Sequence, residues 1–428
     1  MTLDGFLDAN TRWVLAGTAL LGVSSGVLGT FALLRRRSLL GDALAHAALP
    51  GVCVAFLLTS SRELTPLLVG ALIAGLLGAA AIQLIVRTTR LKEDAALGVV
   101  LSVFFAVGVL LLTIIQHSGA GNQAGLDKYV FGQAASLVGR DVRVMAICAG
   151  IVCLVSIALF KEFKLLCFDS DFAAGLGLRP AWIDGLLMTM IVVAVVIGLQ
   201  AVGVVLMAAM LITPAAAARL WTDRLGRMVA LSGAIGAVSG VAGTALSLSA
   251  FHMPTGPLIV LSAASFFVVS LVLAPTKGIL PRAVRYWKTR ARVARENLLR
   301  ALYETLEENG PWDRRFSAAE VAVLRGRDAA STHRGLGGLQ RDRVVTANGD
   351  GYRLTDEGLA AAYRVVRNHR LWEMFLMYEG QLGVDHVHRD ADYIEHYLPE
   401  RTVDELERFL ELHGLTPALL PNLAPTPS

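Results

Sequence analysis

Long apolar segments separated by short polar loops fill the first two thirds of the chain. A stretch of about 20 mostly apolar residues is long enough to cross a bilayer as an α-helix. Such stretches lie near 13–34, 43–60, 66–86, 95–115, 142–160, 183–200, 202–220, 228–248 and 257–274. Because some are short and the sixth and seventh nearly merge, the pattern predicts about eight or nine membrane-spanning helices.

Small residues are concentrated in several of these segments, as in 70–81 and 233–243. Small side chains let transmembrane helices approach closely. The sequence therefore predicts an α-helical polytopic bundle rather than a barrel. Within the seventh segment, Pro214 predicts a break in the helix.

Basic residues recur in the short loops after every second apolar segment. Loops rich in Lys and Arg face the cytoplasm. Placing them there gives nine crossings, an outside N-terminus and a cytoplasmic C-terminal tail. The clusters are Arg35–Arg37, Arg87/Arg90/Lys92, Lys161/Lys164, Arg219/Arg224/Arg227 and Lys277/Arg282/Arg285.

The composition divides the chain into two parts. Overall it is 54% hydrophobic with a mean hydropathy of +0.56, which is too apolar for an ordinary soluble protein. Residues 1–282 contain 19 Lys/Arg and 13 Asp/Glu, whereas residues 283–428 contain 20 and 22. We predict a transmembrane domain over 1–282 and a cytoplasmic domain over 283–428.

One carboxylate and one imidazole stand four residues apart in an apolar segment that follows the triple arginine. On a helix, this spacing places Asp42 and His46 on the same face. Ionisable groups inside a membrane are costly and usually face a pathway or a partner, and oxygen and nitrogen together suit a divalent transition metal. Alternatively, Asp42 caps a helix and His46 is a neutral core histidine.

The run around this pair resembles the signature of the ABC permeases that import manganese, zinc or iron. The matching residues are Leu34–Arg36, Ser38–Ala43, His46-Ala47 and Leu49–Gly51, and further similarity lies at 203–216 and 254–257. The resemblance covers roughly 13–280. It implies that Asp42 and His46 line the translocation path and contact the metal, in the plasma (inner) membrane of a bacterium.

The loop over 163–178 is too polar to span a membrane, and its pattern predicts a short capped helix with a glycine stop. It resembles the coupling helix that docks on the ATPase in the same permease family. The residues that carry this resemblance are Asp169, Asp171, Ala173 and Gly177. The alternative is an ordinary amphipathic loop.

No G-x-x-x-x-G-K-[ST] phosphate loop occurs in the sequence, so we expect ATP hydrolysis in a separate ATP-binding subunit. The family resemblance further implies an extracytoplasmic metal-binding protein and a second permease chain, identical or different. We expect a divalent transition metal (Mn, Fe or Zn) as substrate and as regulatory ligand, with no organic cofactor.

The tail begins with a polybasic helical stretch over 283–300 that would suit anionic membrane lipid, with a DNA contact as the alternative. Its apolar face then predicts a helix, Ser317 predicts the start of a second, and residues 331–343 form the third. Asn348 to Gly351 predict the turn of a hairpin. Helix, helix, helix and hairpin is the order of a winged helix, which we place at about 290–355. The residues of the apolar face are Leu298, Leu299, Leu302 and Leu306.

Potential metal ligands crowd into the last part of the tail. Their pattern resembles the diphtheria toxin repressor family of metal-dependent regulators over about 294–414, with a mostly helical metal-binding and dimerisation region at about 356–414. The resemblance implies a primary site of Asp392, Glu395 and His396. It implies an ancillary site of His369, Glu373 and His388.

The tail departs from that family in ways that bear on DNA binding. Asn297 and Arg300 stand where some members place acidic ligands, and glycines interrupt the recognition-helix region. The tail is also net acidic, so metal sensing is favoured over DNA binding. The basic patch that could contact DNA is Arg325, Arg327, Arg334, Arg341 and Arg343.

Three functions stay open at this point. The first is a permease of an ATP-driven metal importer with a metal-sensing tail. The second is a membrane-tethered transcription regulator that binds nucleic acid through its winged helix. In the third, the tail is only a module for assembly.

Overall fold

The structure is a computed structural model that describes residues 9–59, 64–117, 137–249, 253–326, 328–349, 351–379 and 399–415. The chain divides into two compact units, Met1–Arg282 and Ala283–Ser428. Each unit has its own hydrophobic core.

The first unit is entirely helical in its described part. Its helices are α1 (Ala9–Leu34), α2 (Leu40–Thr59), α3 (Leu64–Thr88), α4 (Glu93–His117), α5 (Gly139–Ala158), α6 (Phe160–Phe168), α7 (Ser170–Gly175), α8 (Pro180–Val202), α9 (Val204–Trp221), α10 (Leu225–Ser249) and α11 (Thr255–Leu273). Helix α12 (Ile279–Asn309) then runs across the boundary between the units.

Eight described helices are long and apolar enough to cross a membrane, and a shorter apolar helix covers Met207–Trp221. The prediction of about eight or nine spans is confirmed. The nearly merged segments form two helices, α8 and α9, which are separated at Gly203. Gly203 has a φ of 87°, a conformation that residues with a Cβ rarely adopt.

The predicted break at Pro214 is wrong. Helix α9 continues through Pro214 from Val204 to Trp221. Proline is tolerated within transmembrane helices because neighbouring groups satisfy the backbone carbonyl that it leaves without a donor. Helix α2 likewise contains Pro50 without ending there.

Backbone-to-backbone packing joins α1 and α10. A Cβ added to Gly236 would lie 2.1 Å from the carbonyl oxygen of Gly22, so only glycine permits this approach. One turn away, Ser232 Oγ donates a hydrogen bond to the carbonyl oxygen of Gly26 at 2.7 Å. The close helix packing predicted from small residues over 233–243 is therefore present.

The second unit combines helices with one hairpin. After α12 come α13 (Ala318–Leu324), α14 (Ala329–Arg341), β1 (Val345–Asn348), β2 (Gly351–Leu354), α15 (Asp356–Glu379) and α16 (Glu400–Leu412). The strands are antiparallel, with Val345 opposite Leu354 and Asn348 opposite Gly351. The predicted hairpin and the helix, helix, helix, hairpin order are confirmed.

The core of this unit forms on the predicted apolar face of α12. Leu298, Leu299, Leu302 and Leu306 are all buried in one cluster with residues of α14 and the hairpin. Ser317 caps α13 by accepting a hydrogen bond from the backbone N–H of Glu320 at 3.1 Å, as the sequence predicted. A smaller cluster joins α15 to α16 through Leu371, Val403, Leu406 and Leu410.

Candidate metal sites

Asp42 and His46 lie together in the first two turns of α2. Asp42 Oδ1 is 3.3 Å from His46 Nε2, and the two side chains are 32% and 15% exposed. Helix α2 begins at Leu40, so Asp42 lies inside its first turn rather than at the cap. The pair is accessible although the helix around it is mostly buried.

The separation of these two atoms suits one metal ion. Ligand atoms about 2.0–2.1 Å from a tetrahedral ion lie roughly 3.3–3.4 Å from one another. The pair therefore needs little rearrangement to provide two ligands. The ring of His46 is fixed by an edge contact with Phe105 of α4, with centroids 4.7 Å apart.

The second imidazole nitrogen faces the interior. His46 Nδ1 is buried and has no hydrogen-bond partner among the described residues. Because a carboxylate only accepts, Nε2 carries the proton when it bonds to Asp42. A metal that binds at Nε2 replaces this proton, so the carboxylate and the imidazole can bind an ion together.

Two ligands are fewer than a transition metal takes in a stable site. Within the described residues, no three His, Cys, Asp or Glu side chains come close enough to hold an ion. The described part of the chain thus presents half of a four-coordinate site at Asp42 and His46.

The triple arginine forms an ion-pair network at the beginning of α2. The guanidinium of Arg37, which is 5% exposed, donates to both carboxylate oxygens of Asp184 at 2.7 and 3.1 Å. Arg37 also pairs with Glu93, and Arg35 pairs with Asp184 at 3.3 Å. The network connects the loop before α2 to the first turn of α4 and the second turn of α8.

Burial by itself would lower the pKa of Arg37, but the carboxylates of Asp184 and Glu93 outweigh this effect and raise the pKa. Sequence reasoning interpreted Arg37 only as a cytoplasmic charge and missed Asp184 and Glu93. The available signal was Asp184 itself, a lone carboxylate within an apolar segment.

Arg35 extends this network to the predicted coupling segment. Its Nη1 donates to the carbonyl oxygen of Leu166, in α6, at 3.0 Å. Helix α6 ends at Phe168, and the short helix α7 follows at once. The same arginine therefore contacts both the α8 carboxylate and the helix that precedes α7.

The segment predicted to couple to the ATPase contains the expected capped helix. Asp169 accepts a hydrogen bond from the N–H of Phe172 at 2.8 Å, and Gly177 follows the helix with a φ of 82°. Asp171 is exposed, whereas Ala173 is buried. The apolar side chains exposed along this segment are Phe168, Phe172 and Leu176.

In the second unit, His369 and Glu373 meet on α15. His369 Nε2 lies 2.9 Å from Glu373 Oε1, and His369 is only 2% exposed. The donor types and their spacing suit two ligands of one ion. His388, Asp392, Glu395 and His396, the other predicted ligands, lie outside the described residues.

Arg300 of α12 contacts the other nitrogen of this histidine. Its Nη1 is 3.0 Å from His369 Nδ1, and its Nε donates to Glu304 at 2.7 Å. Because a guanidinium only donates, Nδ1 accepts and Nε2 carries the proton that points to Glu373. A neutral histidine that binds a metal carries its proton on the other ring nitrogen. Arg300 must therefore release Nδ1, and Nδ1 must take up the proton, before Nε2 can bind a metal.

The predicted DNA contacts do not form one uniform surface. Arg325 and Arg334 line a cleft with residues of α12. Arg341 and Arg343 are exposed, and Arg343 has a φ of 60° just before β1. Arg327 lies outside the described residues.

Comparisons with known proteins identify the first unit. Residues 8–274 match the ABC 3 transport family. The chain belongs to this family. The permease resemblance inferred from the motif around Asp42 and His46 is therefore confirmed at the level of the family, and a multi-pass membrane protein follows.

Relatives extend the similarity to nearly the whole chain. The chain is 47% identical over 410 residues to a manganese transport system membrane protein, MntC, of Bacillus subtilis, covering 95% of this chain and 93% of the relative. It is 44% identical over 285 residues to the zinc transport system membrane protein TroC of Treponema pallidum, covering 67% of this chain and 95% of that protein.

A solved structure supports the fold of the membrane unit. PsaBC from Streptococcus pneumoniae in complex with Fab matches with a TM-score of 0.58 at 32% identity, covering 67% of this chain and 98% of that chain. In the tail, residues 355–418 match the metal binding and dimerisation domain of iron dependent repressors. The predicted resemblance of the tail to metal-dependent regulators is confirmed.

Proposed function

We propose that this chain is the membrane-spanning subunit of an ATP-driven importer for a divalent transition metal, with manganese as the first candidate. The observation that carries the proposal is the accessible Asp42–His46 pair, whose ligand atoms have the spacing of two ligands on one ion. Manganese comes first because a relative that is 47% identical along most of the chain is named for manganese transport.

A second permease chain completes the ion path. Two donors bind an ion weakly, and a second pair from a partner copy raises the number to four. Incomplete coordination also suits a transport site, because the ion must leave it again. We therefore expect transport to require the Asp42–His46 pair in both chains of a permease dimer.

ATP hydrolysis takes place in a separate ATP-binding subunit that docks on α7. The exposed Asp171, Phe172 and Leu176 are available for this contact, while buried Ala173 holds the helix against the membrane unit. An extracytoplasmic metal-binding protein delivers the ion from outside.

The arginine network transmits the movement of the docked ATPase to the ion. Arg35 contacts the helix before α7, and Arg37 stands at the beginning of the helix that bears Asp42 and His46. Asp184 holds both guanidinium groups. A shift of α6 and α7 is thereby coupled to the position of α2.

The tail binds cytosolic metal and slows import when metal is replete. His369 and Glu373 supply two ligands, and the family resemblance adds His388, Asp392, Glu395 and His396. The family match over 355–418 supports a regulatory metal at this location, and Arg300 is the group that must move when His369 binds it.

The test is ATP-dependent uptake of Mn²⁺, Zn²⁺ and Fe²⁺ into vesicles that contain the chain with its ATP-binding subunit. We expect one metal to be preferred, and Asp42→Asn and His46→Gln each to abolish uptake. Asp94→Asn, which changes an exposed carboxylate in the first turn of α4, should transport normally.

Normal uptake by both Asp42→Asn and His46→Gln, with the complex assembled, would contradict the assigned ion path. The regulatory part is tested in the same vesicles by raising internal Mn²⁺ at fixed ATP. If the intact chain and a chain truncated after Lys288 respond identically, the tail does not regulate import.

A further inference from the structure

A cleft in the second unit belongs to neither metal pair. It lies between the first half of α12 and helix α14, and its volume is about 750 Å³. This size is typical of sites that hold a small organic ligand. The residues that line it from α12 and α14 recur at intervals of three and four, so each helix presents one continuous face.

Two glycines of α14 line the cleft and differ in their surroundings. A Cβ on Gly335 would lie 2.5 Å from Leu298 Cδ1, so the missing side chain lets the two helices touch at this point. Gly338 also lines the cleft, and a Cβ there would meet nothing within 4 Å. Each glycine costs the helix roughly 1 kcal/mol relative to Ala, and at Gly335 this cost permits the close approach of Leu298.

The walls of the cleft are strongly basic. Asp342 is the one carboxylate among its lining residues, and it pairs with Arg295 at 2.5 Å. Glu296 stands nearby, 3.8 Å from Arg292. Guanidinium groups bind phosphate through paired hydrogen bonds, so the cleft favours a phosphate-bearing ligand. The arginines that line it are Arg290, Arg292, Arg295, Arg325 and Arg334.

The edge of the cleft has the chemistry of a membrane interface. Trp287 lines the cleft yet remains 63% exposed, and the guanidinium of Arg290 lies 5.8 Å from the centre of its ring. Val284 and Tyr286 are exposed beside it. Exposed aromatic residues among arginines are typical of segments that lie at the surface of an anionic membrane.

We propose that this cleft binds the headgroup of an anionic phospholipid, with the phosphate held by arginines of α12 and α14 and the acyl chains beside Trp287. The sequence supports a lipid source because α12 begins soon after the last apolar span, which ends at Leu273. The site is independent of the metal pairs, and it gives helix α14 a role other than reading DNA.

The test uses the full chain in nonionic detergent and native mass spectrometry to count bound lipid. The probes are phosphatidylglycerol, phosphatidylcholine with the same acyl chains, glycerol 3-phosphate and a duplex DNA of random sequence. We expect one phosphatidylglycerol molecule per chain to bind more tightly than any further phosphatidylglycerol molecules. We expect no phosphatidylcholine molecule to bind as tightly.

Two matched pairs of variants locate the site. Gly338→Leu narrows the cleft, whereas Gly337→Leu makes the same change one residue away, outside the lining. Arg334→Gln removes a lining charge, whereas Arg341→Gln removes an exposed charge of the same helix outside the lining. We expect Gly338→Leu and Arg334→Gln to weaken the tight lipid by about tenfold, and both controls to bind it normally.

Equal effects of the two members of either pair would overturn the proposal, as would equal affinity for phosphatidylglycerol and phosphatidylcholine. Glycerol 3-phosphate binding as tightly as the lipid would show a site for soluble phosphates instead. Tighter binding of the duplex, lost in Arg334→Gln, would show that α14 is a DNA-binding helix.

Discussion

The two His–carboxylate pairs of this chain have the same spacing in sequence but different surroundings. In the membrane unit, Asp42 and His46 are partly accessible and their ligand atoms are 3.3 Å apart. In the tail, His369 and Glu373 are 2.9 Å apart, and His369 is almost fully buried. A spacing of four residues brings the two potential metal ligands together in both units. It does not determine which hydrogen bonds a metal ion must displace.

The two pairs differ at Nδ1, the imidazole nitrogen that does not face the carboxylate. His46 Nδ1 has no hydrogen-bond partner among the described residues, whereas His369 Nδ1 accepts from Arg300. His46 can therefore exchange its Nε2 proton for a metal without breaking a contact to a charged side chain at Nδ1. The second pair can do so only after a guanidinium moves, which suits a regulatory site better than a transport site.

The largest expected effect separates the two pairs by function. Asp42→Asn combined with His46→Gln should abolish ATP-dependent uptake, because both metal ligands are lost. Loss of a group that only hydrogen-bonds to a ligand already lowers metal affinity or activity about 10–100-fold. His369→Gln combined with Glu373→Gln should leave uptake intact at low internal metal. Uptake of radioactive Mn²⁺ by each double variant measures both.

The comparison fails if the tail double variant also stops uptake while assembling normally. In that case the tail pair would be part of the transport path, and the division between transport and regulation would be wrong.

The next effect concerns Arg300. The substitution Arg300→Met removes the charge-assisted hydrogen bond to His369, which is worth roughly 1.5–3 kcal/mol. Mn²⁺ should therefore bind the tail about 10–100-fold more tightly. The measurement is a Mn²⁺ titration followed by electron paramagnetic resonance, in a chain that also carries Asp42→Asn and His46→Gln.

Arg367→Met is the matched control, because Arg367 lies on the same helix as His369 and pairs with Glu407. Unchanged or weaker Mn²⁺ binding in Arg300→Met, with the unfolding temperature preserved, would contradict competition between the guanidinium and the metal.

A smaller effect is expected at the network beside the transport pair. Asp184→Asn weakens the contacts of Arg35 and Arg37 without touching Asp42 or His46. We expect the number of Mn²⁺ ions transported per ATP to fall several-fold, while ATP hydrolysis continues. Breaking a buried ion pair can cost about 3–5 kcal/mol, so the unfolding temperature is measured alongside.

Asp223→Asn provides the control, since it removes an aspartate that pairs with Lys277 and Arg219 and is largely exposed. A normal transport ratio in Asp184→Asn would show that the network only stabilises the fold.

Local patterns predicted much of this molecule from sequence. Apolar segment lengths predicted the spans, the i, i+4 rule predicted that Asp42 meets His46, and Asn348 with Gly351 predicted the hairpin turn. Each of these depends on neighbours in sequence, where helix and turn geometry leave few alternatives.

Contacts between distant segments could not be predicted in the same way. Nothing near Arg37 indicates that its partner is Asp184, since the pair is 147 residues apart. Arg300 was noted as a departure from a family pattern, but its bond to His369 depends on how α12 packs against α15. Pro214 was misjudged because the surrounding helices, not the local sequence, decide whether a proline ends a helix.

If the tail regulates import as proposed, the bond between Arg300 and His369 also sets a threshold concentration. A tail ion must offset the loss of this bond, and each 1.4 kcal/mol of that loss raises the half-saturating metal concentration about tenfold. We therefore expect the intact tail to respond at a higher free Mn²⁺ concentration than a tail that carries Arg300→Met. Changing one arginine would move the set point of the cell's metal supply without changing the importer's speed.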